Sequence, residues 1–237
     1  MRPSEKSLRF NLSTIKTIAF LGLFLAVVFG AFAKLPSSGS PYVLFALSGM
    51  VIFGLFSNAV TRAGSAFIRD GQLVAKVYFP RALLPLGSGA ASIVDFGVGF
   101  AALLAIMLAT GYAPPLAIII APIVALAALC LGLAVGLAVS ALSAHYRDFA
   151  IAVPFALQVL LYASPVVYSA ELIPAGLQPL YNLNPLVAIT EAFRASVLGT
   201  EMPSGPDAAI SGAIGLLIIV ISVVVFARVS RDLTDII

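Results

Sequence analysis

Few side chains in this sequence could do chemistry, and they are scattered. Asp95 is the one acidic residue inside the apolar run Leu86–Ala109. If that run crosses a bilayer, a charge at its centre costs ~2.5–3.5 kcal/mol and has to face protein or water. It reads as a proton or cation relay, or as a polar anchor close enough to the surface to reach water. A relay needs further ionisable groups in other apolar runs, and none is there, which favours the anchor. Gln158 and Tyr162 stand four apart, on one face of a helix. They suit bonds between helices or a hydrophilic path, and an aromatic face can stack on sugar rings. The lone histidine, His145, shares a short polar stretch with Tyr146, Arg147 and Asp148 and lacks the companions of a metal site. The lone Cys130 lies in an apolar run, has no partner for an internal disulfide, and reads as packing. No Gly-x-x-x-x-Gly-Lys-[Ser/Thr] segment occurs, so this sequence carries no P-loop of its own. With no nucleophile and base pair visible either, it offers no catalytic constellation.

Two polar stretches carry more pattern. In Thr61–Pro85, Phe67, Ile68, Leu73, Val74, Val77 and Tyr78 are interleaved with Arg69, Asp70, Gln72 and Lys76, and Pro80 and Pro85 close the segment. That pattern predicts an amphipathic helix on the membrane surface or against a partner. It serves equally well as a basic anchor of topology. In Glu171–Asp207 five prolines interrupt the chain, and Asn184-Pro185 reads as an N-cap followed by proline at the first helical position. Leu186, Ile189, Phe193 and Val197 then recur at helical spacing, with Glu191 and Arg194 three apart on another face. This predicts a short, half-apolar helix at the outer surface or dipping into the membrane, where protein or a water-filled cavity has to satisfy its backbone.

The elements that would position these residues follow from composition. Of 237 residues, 61% are hydrophobic and 10% charged, against about 45–50% and about 25% in soluble domains. A water-soluble fold of this size could not hide so much apolar surface. Six runs with no charge or one fit the ~20 residues that a bilayer core requires. They are Thr17–Ala33, Pro41–Val60, Leu86–Ala109, Leu116–Leu142, Phe149–Ala170 and Ala208–Ala227. The fourth exceeds the need and is expected to tilt or to extend past the interface. Within it Gly132 and Gly136 have the Gly-x-x-x-Gly spacing of close helix contact.

With the N-terminus inside, Arg2, Lys6, Arg9, Lys16, Arg62, Arg69, Lys76, Arg81, Arg147, Arg228 and Arg231 all lie on the cytoplasmic side, and only Lys34 and Arg194 outside. The opposite orientation would reverse that ratio, so both termini are expected in the cytoplasm. The net charge of +3 is accounted for by this distribution and not by nucleic acid. Basic residues, an apolar run and Ala31-Phe32-Ala33 also resemble a signal peptide. Five further spans follow, which favours a retained first span. The expected fold is therefore an all-α integral membrane protein, one domain over residues 1–237.

Four blocks resemble type-2 ATP-binding-cassette exporter permeases, in the branch exporting lipid-linked polymers such as O-antigen, capsule or teichoic acid (a polyol phosphate). They are Lys76-Val77-Tyr78-Phe79-Pro80-Arg81 with Leu83-Leu84-Pro85-Leu86; Val28-Phe29-Gly30 with Ser40-Pro41-Tyr42 and Ser48-Gly49; Tyr146-Arg147-Asp148 with Pro154-Phe155 and Ala163-Ser164-Pro165-Val166-Val167-Tyr168; and Asn184-Pro185-Leu186 with Glu191-Ala192-Phe193-Arg194 and Leu198-Gly199. The chain departs from the resemblance in having no Trp and only about 16 residues before the first span, where relatives carry a longer amphipathic lead.

The resemblance implies a multi-pass permease subunit in the bacterial cytoplasmic (inner) membrane, paired with a second copy of itself. It implies a separate ATPase subunit dimer that holds ATP and Mg, with no cofactor on this chain and no enzymatic activity of its own. A cytoplasmic coupling helix between spans 2 and 3, carrying Arg69, Asp70, Gln72, Lys76, Tyr78 and Arg81, would dock on that ATPase. A re-entrant outer hairpin between spans 5 and 6, with Asn184, Glu191 and Arg194, would form the outer gate. Gln158, Tyr162 and Asp95 would be candidates for the path of a lipid-linked glycan. An exporter of drugs or small lipids, or a non-transporting membrane scaffold with a truncated N-terminus, would share most of these features.

Overall fold

The computed structural model describes residues 40–69, 80–169, 173–174 and 176–230. The expected first span, Thr17–Ala33, and the middle of the expected coupling helix, with Asp70, Gln72, Lys76 and Tyr78, lie outside the described residues. All regular structure among the described residues is helical. In order, the helices are α1 (Tyr42–Gly64), α2 (Leu83–Ala90), α3 (Ser92–Ala109), a 3₁₀ turn (Leu116–Ile120) running into α4 (Ala121–His145), α5 (Arg147–Ala163), α6 (Gln178–Tyr181), α7 (Pro185–Leu198) and α8 (Gly205–Val229).

Four of these units are long and apolar enough to cross a bilayer: α1, α2 with α3 (Leu83–Ala109), the 3₁₀ turn with α4 (Leu116–His145), and α8. Together with the composition they make the chain an integral membrane protein. α1 runs beyond the expected end at Val60, and the chain continues helically through residues 66–69. The start of the expected coupling segment is thus a prolongation of the second expected span. The third expected span is interrupted at Ala91, where Ser92 Oγ donates to the Gly89 carbonyl at 2.7 Å.

α5 falls short of its expected end. It has 17 residues and stops at Ala163 instead of Ala170, because Ser164 precedes Pro165 and takes the extended conformation (φ −115°, ψ 152°) that a following proline favours. At 1.5 Å per residue the helix reaches ~25 Å, less than a ~30 Å hydrocarbon core.

α1 is the hub, packing against α2, α3, α4, α5 and α7. α8 and the α2–α3 unit leave most of their surface outward, as lipid-facing helices do. Lipid tails are as apolar as leucine, so contact between membrane helices depends on close van der Waals packing and small residues. The α1–α4 contact has that form. A Cβ added at Gly132 would lie 2.9 Å from the Phe56 carbonyl oxygen, and one at Gly136 would lie 2.6 Å from the Ala63 Cβ. The Gly132–Gly136 pair does bring two helices together. The main apolar core lies between α1, α3, α4 and α7, with Leu44, Ile52, Leu103, Met107, Ala128, Phe193 and Val197 buried in it.

Candidate functional site

The best-defined polar cluster sits where α7 meets the start of α1 and the segment after α5. Asn184 caps α7, accepting the Leu186 N–H on Oδ1 at 3.0 Å, and Pro185 follows in the first turn. Its Nδ2 donates to Ser164 Oγ at 2.9 Å. Gly199 ends the helix in the left-handed conformation (φ 71°), and the Tyr112 hydroxyl, from the connection after α3, donates to the Leu198 carbonyl at 2.6 Å. α7 is therefore tied at both ends. Its middle is buried among α1, α4, α8 and the 3₁₀ turn, with Phe193 wholly enclosed beside Phe96 and Phe100.

Arg194 is 2% exposed. Its Nε donates to the Phe45 carbonyl at 3.2 Å, one Nη donates to the Val166 carbonyl at 2.6 Å, and the guanidinium lies 3.6 Å above the Phe45 ring centroid. Gly49 makes the room: a Cβ there would stand 2.4 Å from the Val166 oxygen and 2.5 Å from the Arg194 Nη. The same segment is held to α1 a second time by Tyr42, whose hydroxyl donates to the Val167 carbonyl at 2.9 Å.

Burial lowers the Arg194 pKa to about 10, opposed chiefly by the charge of Glu191, so the guanidinium stays protonated at neutral pH. Burial raises the Glu191 carboxyl above the ordinary range, against the pull of Arg194. It also raises the Tyr181 phenol, whose hydroxyl faces that of Tyr168 at 3.5 Å. Sequence reasoning put Arg194 on a face of a short outer helix apart from its apolar one; the structure buries that face against α1 and the segment after α5.

A second polar network lies at the other end of α1. Arg62 and Asp95 form an ion pair at 2.5 Å, with both side chains near 40% exposed (41% and 44%). Arg69 donates to Ser88 Oγ at 2.6 Å, and Ser88 Oγ donates to the Arg62 carbonyl at 3.2 Å. Arg81 donates to the Ser230 carbonyl. Phe67 packs inward, stacked on Phe226 at 6.4 Å. Asp95, in α3, therefore has a charged partner in α1. Arg69 and Arg81 tie α1 to α2 and the 80–82 turn to the end of α8.

Gln158 and Tyr162 are exposed on the outward face of α5, beside Phe155 and Val159. No group of three His, Cys, Asp or Glu able to hold a metal occurs among the described residues.

Sequence reasoning missed Phe45, Gly49 and Val166 as partners of Arg194, and Arg62, Ser88 and Ser230 as partners at the other end. A signal for the first group was present. Tyr42 and Gly49, Ala163–Tyr168, and Asn184 and Arg194, which stand in blocks that carried the family resemblance, meet around the Arg194 seat.

Residues 6–198 match the ABC-2 type transporter family. The chain belongs to that family. Among curated ABC-2 type relatives, an O-antigen export system permease protein RfbA of Klebsiella pneumoniae is 24% identical over 154 residues, 65% of this chain and 60% of that protein. A second such protein from the same organism is 23% identical over the same length. One from Myxococcus xanthus is 24% identical over 181 residues, 76% of this chain and 69% of the relative. The match thus spans 60% of the length of the two Klebsiella relatives.

Proposed function

We propose that this ABC-2 type protein is the permease subunit of an ATP-driven exporter that carries a lipid-linked polysaccharide, of the O-antigen or capsule kind, across the cytoplasmic membrane. The observation that carries the reading is the family match over residues 6–198, joined to relatives that are themselves named O-antigen export permeases. The chain crosses the membrane six times, with Thr17–Ala33, and α5 together with residues 164–169, completing the four long units, and both termini are cytoplasmic. Two copies face each other and enclose the path, which gives the outward face of α5, with Gln158 and Tyr162, a polar and aromatic surface to present to sugar.

The energy comes from a separate ATPase dimer holding ATP and Mg. The segment from Thr61 to Arg81 docks on it, and Asp70, Gln72, Lys76 and Tyr78 belong to that contact. Arg69 and Arg81 support this role from inside the chain, because each ties one flank of the segment to another part of the bundle. Motion of the segment would reach α2, α3 and α8 through these bonds and through Arg62–Asp95. α6 and α7 form the outer gate as a re-entrant pair, a reading supported by the burial of α7 and by its capped ends.

Inverted membrane vesicles holding this chain and its ATPase test the proposal. Lipid-linked glycan added outside them is expected to reach the lumen on addition of ATP and Mg, and not with a non-hydrolysable nucleotide. Equal uptake in vesicles lacking the chain would overturn it.

A further inference from the structure

A buried arginine with no carboxylate in contact is an odd way to hold two helices together. Among the described residues the one ion pair is Arg62–Asp95, at the opposite end of α1. Arg194 gives its protons to two backbone carbonyls on separate pieces of chain, Phe45 in α1 and Val166 after α5, and rests on the Phe45 ring. Only a planar fork can reach both oxygens while lying flat on a ring; a lysine ammonium is a point charge and cannot. The slot is cut to fit, since Gly49 leaves no space for even a methyl group beside it.

Static packing would be better served by an apolar side chain, which avoids the desolvation cost of a buried charge. Two charge-assisted hydrogen bonds and a cation–π contact favour the seated guanidinium, while desolvation opposes it. These contributions offset one another in part. A modest differential load on α7 is then enough to release the side chain toward water and lipid headgroups.

We propose that Arg194 is a positioning residue of transport: a latch that holds α7 and residues 164–168 against α1 in the closed outer end, and that leaves its Gly49 slot when the outer end opens. This rests on the reading of α6 and α7 as the outer gate. The latch needs the Gly49 slot as much as the arginine, which a simple packing role for α7 would not require.

The test uses the full chain with its ATPase in lipid nanodiscs, with the lone Cys130 replaced by Ala and spin labels at Val43 and Leu183, both exposed. The unaltered pair is expected to show one short separation without nucleotide and a second, longer one with ATP. Arg194→Gln and Gly49→Ala are each expected to show that same longer separation without nucleotide, in at least a third of molecules. A purely structural role would broaden the short distance and would not create the ATP-induced one. Where Arg194→Gln lowers the folded yield too far, Arg194→Lys keeps the charge and most of the volume and is expected to show the longer state as well.

Separations that stay short in these variants without nucleotide overturn the latch. If the longer separation forms but loss of the chain leaves surface glycan intact, the latch stands and the polysaccharide reading falls. If surface glycan is lost but the separation never lengthens, the latch alone falls.

Discussion

Asn184 does two jobs that can be separated by substitution. Its carboxamide oxygen caps α7 and its nitrogen reaches Ser164. Replacing it with Ala removes both, and loss of a cap costs about 1 kcal/mol. Asn184→Ala is expected to lower the unfolding free energy of the purified protein by about 1–2 kcal/mol in a denaturant titration, and Asn184→Asp, which keeps the cap acceptor, by less. Glu191 gives a pH prediction. Its carboxyl is raised in the fold by burial, so the folded state takes up a proton more readily than the unfolded one. Its ionised form costs stability at neutral pH. That cost is relieved as pH falls from the raised value through the ordinary carboxylate range near ~4.3. Glu191→Gln is expected to raise the melting temperature at pH 7, and the gain over the unaltered protein should shrink toward pH 4. The Asn184 cap was legible in sequence, because capping is local chemistry between neighbours. The Arg194 seat was not, because its acceptors are backbone carbonyls, one of them 149 positions away, and carbonyls leave no mark on residue type.

Helices were legible to the extent that length and hydropathy define them. Runs at 41–60, 86–109, 116–142 and 208–227 correspond to the four long units. The run at 149–170 was misjudged at its end, since apolar composition continues past Ala163 while Pro165 stops the helix. Gly132 and Gly136 were readable as a contact motif, although nothing in the sequence named α1 as the partner. Gly136→Leu is expected to separate α1 from α4 and to destabilise the protein by roughly 1–3 kcal/mol, the usual range for overpacking. Gly212→Leu on α8, where an added Cβ meets open space, is expected to leave the melting temperature within a degree or two. Equal losses in the two variants would argue that glycine matters there for backbone reasons and not for the close approach of helices.

The whole molecule has two polar ends of one bundle: a basic end where Arg62, Arg69 and Arg81 bind neighbouring elements, and an opposite end where Arg194 joins α7 to α1 and to Val166. The family was legible in local blocks, and among the described residues parts of three of them meet in space: Tyr42 with Val167, Asn184 with Ser164, and Gly49 beside Arg194 and Val166. The polymer was not legible, because Gln158 and Tyr162, the residues proposed for its path, lie on an exposed face of α5, and in the proposed reading a second copy encloses that path. Reversing Arg69 and Lys76 together to Glu is expected to lower export at least tenfold while ATP hydrolysis continues and the amount of chain in the membrane is unchanged. Unchanged export would make the Thr61–Arg81 segment a topological anchor. The central claim, export of a lipid-linked polysaccharide, is tested most directly by deleting this chain from a strain that has no second such permease and measuring surface glycan and cell-internal lipid-linked polymer together. Surface glycan is expected to disappear while lipid-linked polymer accumulates inside, and both are expected to reverse when the chain is restored; surface glycan at the parental level would contradict an export role.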